Sequence, residues 1–515
     1  MRLVMAKNIL KGIIFFTLVT FISGTASCVH RHFGYSSFVC VCNSTYCDTV
    51  EDVTLPIAGT AVLVSSSRER ERLVHRTLEF VEMSNSIADV VVSINRSIKY
   101  QPIIGFGGAF TDAATLNIAT LSDGAQENLL RSYFGPGSAE YNLIRINMGG
   151  CDFSTRTYSY DDVPGDVSLS HFELAPEDID YKIPYIKKAL ALASRQVSLF
   201  ASPWSAPAWM KTNNVFYGEG QLLPEYYQPW ANYFVKFLDS YKSFGLNFWG
   251  LTAQNEPTDG MIPDFPFNCM GWTAESQRDW IADHLGPTLE AHGYSDVKLM
   301  IMDDQRLALP KWPEIVLNDT SAAKYVDGIG VHWYTDAIIP PGVLDLTNDQ
   351  FPDYFILGTE ACEGANPLNP DKVTLGSWER GESYFQDIIT DLNHWVRGWT
   401  DWNVALDMGG GPNWAENFVD SPIIVDKTKD EFYRQPMFYA MAHVSKFVLP
   451  GSRRVDVQQS GSGLKVFAGE RPDSAIVLLI MNRYNEVKKI QIEDSIQGIL
   501  EIDIPAKSMH TLVYL

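Results

Sequence analysis

The sequence predicts an α/β protein in which a (β/α)8 TIM barrel is flanked by all-β segments. Three observations carry that prediction. Short apolar runs recur eight times between residues 104 and 403, with helix-period segments between several of them. The stretches before and after this region read as strands separated by polar turns. Several of the eight runs close on polar or aromatic groups, as barrel strands do at a carboxyl edge that carries a site.

Taken in order, the first 27 residues read as a secretory signal. Arg2, Lys7 and Lys11 precede an apolar core at 13–22, and Gly24-Thr25-Ala26-Ser27 offers small residues for cleavage. That core is too short for a comfortable membrane span. Cys28, Cys40, Cys42 and Cys47 then crowd the start of the mature chain. Behind a signal they read as two disulfides; a zinc site is the alternative, but no histidine has matching spacing. Cys151, Cys269 and Cys362 are scattered and read as buried free thiols. Sequons at Asn43, Asn95 and Asn318 suit the same secretory route.

Residues 61–64, 73–80 and 90–94 read as strands, with the charged run Arg68-Glu69-Arg70-Glu71-Arg72 as a solvated hairpin tip. The segments 464–467, 475–481, 490–492 and 511–514 are similar, so the two ends are expected to complete one sandwich beside the central domain. The eight central runs are 104–109, 142–148, 197–204, 249–256, 298–302, 328–334, 354–360 and 399–403. Between them, apolar residues at 230, 233, 234 and 237 follow helical spacing, and 384–395 is a second helical segment.

A formal charge of −22 argues against nucleic acid as a partner and fits work in an acidic medium. An aromatic share of 12% suits a site that stacks on sugar rings, although most such residues will be core. The run ends point the same way. Run two is followed by Cys151-Asp152-Phe153, and run three closes on Ser202-Pro203-Trp204. Run four closes on Asn255-Glu256, six on His332-Trp333-Tyr334, seven on Gly358-Thr359-Glu360 and eight on Thr400-Asp401-Trp402. Glu256 alone would pass for a helix cap. A second strand-terminal glutamate, Glu360, changes that reading: one carboxylic acid protonates a glycosidic oxygen while the other attacks the sugar or activates water.

Thr252-Ala253-Gln254-Asn255-Glu256-Pro257, residues 355–362 and Gly105-Phe106-Gly107-Gly108-Ala109-Phe110-Thr111-Asp112 closely resemble the glucocerebrosidases of glycoside hydrolase family 30. Phe33-Gly34-Tyr35-Ser36-Ser37, Trp399-Thr400-Asp401-Trp402-Asn403 and Asp420-Ser421-Pro422-Ile423-Ile424-Val425-Asp426 extend the likeness over essentially the whole mature chain. The resemblance implies a discontinuous all-β sandwich domain from 54–100 with 452–515, and a small disulfide-bearing N-terminal β-domain from 28–53 with 404–436. The catalytic barrel would take 101–403 with 437–451. It also implies Cys28–Cys40 and Cys42–Cys47 bridges.

By the same resemblance Glu256 matches a retaining acid/base and Glu360 the nucleophile, with Glu256 protonated and Glu360 ionised at rest. Asn255 matches the residue that bonds the sugar 2-hydroxyl. Asp152, Phe153, Trp204, Trp402 and Asn417 match the glucose pocket, and Tyr334 sits beside the nucleophile. Arg145 and His332 are expected to hold the carboxylates. No metal or organic cofactor is implied. The expected substrate is glucosylceramide, met in the lysosomal lumen after the secretory pathway, at an anionic membrane surface and with a saposin-type lipid activator. The alternatives are a secreted family member acting on another β-glucoside or on xylan, and a catalytically silent glycan-binding relative. One departure stands out: Glu363 occupies a place where an apolar residue is expected, and it reads as a solvated loop carboxylate. The neighbouring Cys362 reads as a buried, inert thiol whose oxidation would disturb the site.

Overall fold

The computed structural model describes residues 27–50, 52–83, 87–366, 369–461 and 463–515. The signal segment, apart from Ser27, lies outside the described residues, among which no helix is long and apolar enough to cross a membrane. Eight parallel strands close into a barrel: β1 Gly105–Ala109, β2 Leu143–Met148, β3 Ser198–Pro203, β4 Gly250–Thr252, β5 Lys298–Gln305, β6 Gly328–His332, β7 Phe355–Glu360 and β8 Val396–Asn403. They correspond to the eight apolar runs, in order. The two helical segments are also found, as Tyr227–Ser243 and Trp378–Asn393.

The barrel interior is layered by the period-two alternation of its strands. Leu143, Phe200, Met300, Phe355 and Leu357 form an apolar plug. Two residues further along their strands come Arg145, Ser202 and Thr359, whose polar atoms meet above the plug. On β5 a bulge between Met302 and Asp304, with positive φ at Met302 and Asp303, breaks the alternation. Met302 therefore packs in the outer core and Asp303 turns inward.

Strand β4 stops at Thr252 rather than at Glu256. Beyond it the main chain still bonds to β5, from Ala253 N–H to Met300 O and from Glu256 N–H to Asp303 O, both at 2.9 Å. Glu256 itself lies at a φ of +40°, which turns the chain out of the strand.

The two ends meet as expected. Thr60–Ser67, Val74–Glu79 and Val90–Pro102 join six C-terminal strands in a nine-stranded sheet, with Ser508–Tyr514 paired antiparallel to Thr60–Ser67. Alternate residues such as Leu63, Val92, Leu478, Ile492 and Leu512 face one apolar core. A five-stranded sheet joins His30–Arg31 and Val39–Asn43 to Glu431–Arg434, Ile423–Asp426 and Leu406–Asp407. Disulfides Cys28–Cys40 and Cys42–Cys47 staple it, and Cys151, Cys269 and Cys362 are free and buried.

The charged run is not uniformly solvated. Glu69 and Arg70 are exposed, but the Arg72 guanidinium sits 3.9 Å over the Phe38 ring and donates to Ser37 Oγ and the carbonyls of Ser67 and Phe38. Arg72 thus ties the large sheet to the small one. A cation over an aromatic face loses less by leaving water than an isolated charge would.

Candidate active site

The carboxyl ends of β3, β4, β5 and β7 converge on Arg145 of β2. Its buried guanidinium donates to Thr359 O at 3.1 Å, Asn255 Oδ1 at 2.8 Å and Asp303 Oδ2 at 2.8 Å, and it pairs with Glu360. Ser202 Oγ accepts from Nε and Nη2 at 3.2 and 3.1 Å. A buried Arg with every partner supplied is tolerable; with one missing it would be costly. Asp303 accepts further bonds from the hydroxyls of Thr252 and Thr359, both at 2.6 Å. Burial works against its charge, but Arg145 and His332 hold the carboxyl well below its ordinary range.

His332, at the end of β6, places Nδ1 3.0 Å from Glu256 and Nε2 3.0 Å from Asp303. Two carboxylates can both be satisfied only by a ring that donates from both nitrogens. Burial opposes that charge, yet Glu360 and the bonds to Asp303 and Glu256 push His332 up to about 10. Gln305 also donates to Glu256 Oε1, at 2.6 Å. At the end of β7, Glu360 accepts from Arg145 and from the Tyr334 hydroxyl, the latter at 2.8 Å. One oxygen each of Glu256 and Glu360 and a ring nitrogen of His332 lie within 4.8 Å of one another. Arg145 and His332 thus set two cationic groups against the three carboxyls of Glu256, Glu360 and Asp303.

The directions in which the two carboxyls titrate differ from those expected. Burial raises Glu256, but the hydrogen bond and charge of His332, a bond to Asp259 and the charge of Arg145 bring it below its ordinary value. Burial raises Glu360, and His332 and Arg145 only partly offset this. Both bonds to Glu360 are nevertheless donated to it, the arrangement an ionised carboxylate requires.

The aromatic and polar wall stands beside the pair. Trp204 and Trp402 stack with ring centroids 5.0 Å apart at 18°, and the buried Phe153 ring packs edge-on against Trp402. Asp152 accepts from Asn413 and Asn417 at 3.1 and 3.0 Å, and burial lifts it to about 7. All the sequence-named site residues therefore gather at one end of the barrel. The sequence reading missed Asp303, Gln305 and Asn413. Asp303 and Gln305 lie just past the apolar run 298–302, where the polar end of that run would point to them as Glu256 and Glu360 are pointed to by theirs.

Glu363 is not a solvated loop residue. It is half-buried, bonded to the Ser383 side chain, with Arg380 Nε 4.0 Å away; burial raises its carboxyl, Arg380 lowers it, and Asp420 is its acidic neighbour. The chain turns back over the helix Trp378–Asn393, whose side chains shelter it. Cys362 is buried 3.3 Å from the Tyr334 hydroxyl, and burial pushes its thiol well above the ordinary range, which leaves little reactive thiolate.

Two buried carboxyls in close range on a (β/α)8 barrel, with an Arg-centred network beneath and stacked indoles beside them, define a glycoside hydrolase. A model described as the glycosyl hydrolase family 30 TIM-barrel domain matches residues 103–448, and one for the family's beta sandwich domain matches 451–512. The chain belongs to glycosyl hydrolase family 30. It is 48% identical over 509 residues to the lysosomal acid glucosylceramidase of Mus musculus, covering 98% of each chain. It is 43% identical over 487 residues to putative glucosylceramidase 4 of Caenorhabditis elegans, covering 92% of this chain and 93% of that one. Among solved structures, SrfJ from Salmonella typhimurium superposes with a TM-score of 0.82 at 28% identity, covering 88% of this chain and 99% of that one.

Proposed function

We propose that this enzyme is a retaining β-glucosidase that hydrolyses glucosylceramide to glucose and ceramide. The observation that carries the reading is that one carboxyl oxygen of Glu256 lies within 4.8 Å of one of Glu360. Retaining pairs stand about 5–5.5 Å apart, whereas inverting pairs need about 6.5–9.5 Å to admit a water molecule. Glu360 attacks the anomeric carbon as Glu256 gives a proton to the ceramide oxygen. A glucosyl ester on Glu360 results, and Glu256 then takes a proton from the water that opens it. Arg145 accepts nothing and so fixes Asn255 with its Oδ1 inward, leaving the amide hydrogens for the sugar 2-hydroxyl. Asp152, Asn417, Trp204 and Trp402 bind the remaining face of glucose, with Phe153 supporting Trp402 and Tyr334 orienting Glu360.

A lipid aglycone is supported by the rim of the barrel. Exposed apolar residues recur on consecutive loops at the carboxyl face: Val215 and Tyr217 after β3, Met261 and Ile262 after β4, Leu307 after β5 and Ile338 after β6. Scattered apolar residues are ordinary, but a fringe around a sugar-sized mouth suits a two-chain lipid at a membrane surface. The similarity to a lysosomal acid glucosylceramidase supports work in the lysosomal lumen; arrival by the secretory pathway, an anionic membrane surface and a saposin-type activator complete the proposal. Asn95 and Asn318 are exposed and Asn43 half-buried, so N-glycans fit best at the first two.

The test is Glu256→Gln. Turnover of glucosylceramide should fall about 10²–10⁴-fold, because a poor leaving group needs the proton. An aryl glucoside with an acidic phenol should lose less, and azide should speed its turnover by attacking the glucosyl ester. A folded variant that azide does not rescue would remove Glu256 from the acid/base role.

A further inference from the structure

Glu256 sits in surroundings that favour the carboxylate, yet its task begins with giving a proton away. Its Oε1 accepts from both Gln305 and His332. Arg145 adds positive charge from β2, and Glu360 and Tyr334 face it from β7 and the end of β6. Against this cationic bias stand the carboxyls of Glu360 and Asp304 and, in direct contact, Asp259. Its carboxyl hydrogen-bonds that of Glu256, and two carboxyls can bond in this way only if a proton lies between them.

The contact is built into the backbone. Pro257 and Thr258 carry the chain round so that Asp259 N–H donates to Glu256 O at 3.0 Å, and Asp259–Met261 forms a single 3-10 turn. Thr258 is pinned by its N–H and hydroxyl to Asp304 Oδ2, at 3.0 and 2.8 Å. Gly260 lies so close to the neighbouring loop that a Cβ there would stand 2.0 Å from Gly271 N. The turn is thus clamped on both sides of Asp259. The other titratable groups facing it are Asp304 and Cys269, and Lys211 approaches from beyond Cys269 with a 2.6 Å bond to that residue's carbonyl.

We propose that Asp259 is a positioning residue for the acid/base, sharing a single proton with Glu256 and so keeping a proton available where His332 and Arg145 would strip it away. Burial and the Glu256 charge push Asp259 up to about 12, in keeping with a pair that holds one proton throughout the acidic and neutral range. When the bond from the anomeric carbon to the leaving oxygen breaks, the shared proton passes through Glu256 to that oxygen. The pair is then doubly negative against His332 and Arg145. When water opens the ester on Glu360, its proton returns to the pair, which restores the starting state.

The inference rests on Glu256 being the acid/base, so Glu256→Gln with azide is run alongside as its own control. The measurement is the pH profile of kcat/KM for an alkyl β-glucoside, with Asp259→Asn and Asp259→Ala compared with the parent enzyme. An Asn donates to Glu256 and an Ala leaves it to His332; either change favours the carboxylate. The alkaline limb, which reports the acid in the free enzyme, should move down by about one pH unit or more. The loss should lie in kcat rather than KM and be smaller for an aryl glucoside with an acidic phenol. Thermal unfolding of both variants checks that they are folded, and Ala serves if Asn is not. An unmoved alkaline limb in a folded variant, with azide rescuing Glu256→Gln, overturns the role of Asp259 alone. Failure of that rescue overturns the acid/base assignment instead.

Discussion

The nine-stranded sheet and the barrel mouth are built from the same kind of strand but bury opposite chemistry. In the sheet, the inward residues of neighbouring strands are Leu, Ile and Val, each contributing about 1.5–3 kcal/mol on burial. At the mouth, the inward residues are Arg145, Asp303, Glu256, His332 and Glu360, whose charges are costly to bury and tolerable only as a complete set. The sheet can therefore lose a side chain and keep its chemistry-free role at reduced stability. The mouth cannot lose one without changing what the others do.

The largest effect should come from Arg145→Ala, which leaves Asp303 and Glu360 without their buried cation. Stability should fall by about 3–5 kcal/mol, with turnover lost even in the folded fraction. Denaturant unfolding paired with activity at low temperature separates the two losses. In the sheet, Leu478→Ala should cost about 2–5 kcal/mol by the same unfolding measurement while the folded fraction keeps the parent kcat. A drop in kcat there would show that the two regions are coupled.

A smaller contrast lies in pH. The barrel buries carboxyls that are raised, Asp304 to about 6, Asp152 to about 7 and Asp336 to about 10, all by burial first. A raised carboxyl binds its proton more tightly in the folded chain, so its contribution is full in acid and is lost as pH rises through the folded value. His443, between barrel and sheet, and His510 of the sheet are driven the other way by burial, His510 to about 3, and favour folding only above the ordinary histidine value. The raised carboxyls outnumber these two, so the thermal midpoint should be several degrees higher near about pH 5 than near about pH 7.5. A midpoint that falls on acidification would contradict that balance. The smallest effect is expected at Glu363→Gln, with turnover unchanged and stability altered by less than about 1 kcal/mol, since its pairing to Arg380 is long and partly exposed.

What was legible in the sequence follows the same division. Short apolar runs located every barrel strand, helical spacing two of the helices, and strand-like runs between polar turns the sheet formed by the two ends, because those patterns are written in neighbouring residues. The strand-terminal rule found Glu256, Glu360, His332 and Trp402 for the same reason. Asp303 escaped because a bulge, invisible in the residue pattern, turns it inward one position past the apolar run. The environments of the carboxyls were legible only through the family resemblance, which names Arg145 and His332 as holding them but gives neither Asp259 nor the directions in which they shift. Glu256 is set by His332 and Arg145 from other strands and by Asp259 across a proline turn, and none of these distances is encoded locally. Glu363 was misread because the shelter it receives comes from the helix Trp378–Asn393.

The central claim is that Glu360 becomes covalently attached to glucose in each cycle. A 2-deoxy-2-fluoro glucoside with a good leaving group should trap that ester, because fluorine destabilises the oxocarbenium-like transition states of both steps and slows deglycosylation most visibly. Peptide mapping of the labelled protein by mass spectrometry is expected to find the fluoroglucosyl adduct on Glu360, and Glu360→Gln to remove both label and turnover. An adduct on Glu363, or a fully inhibited enzyme with no adduct on either residue, would contradict the account.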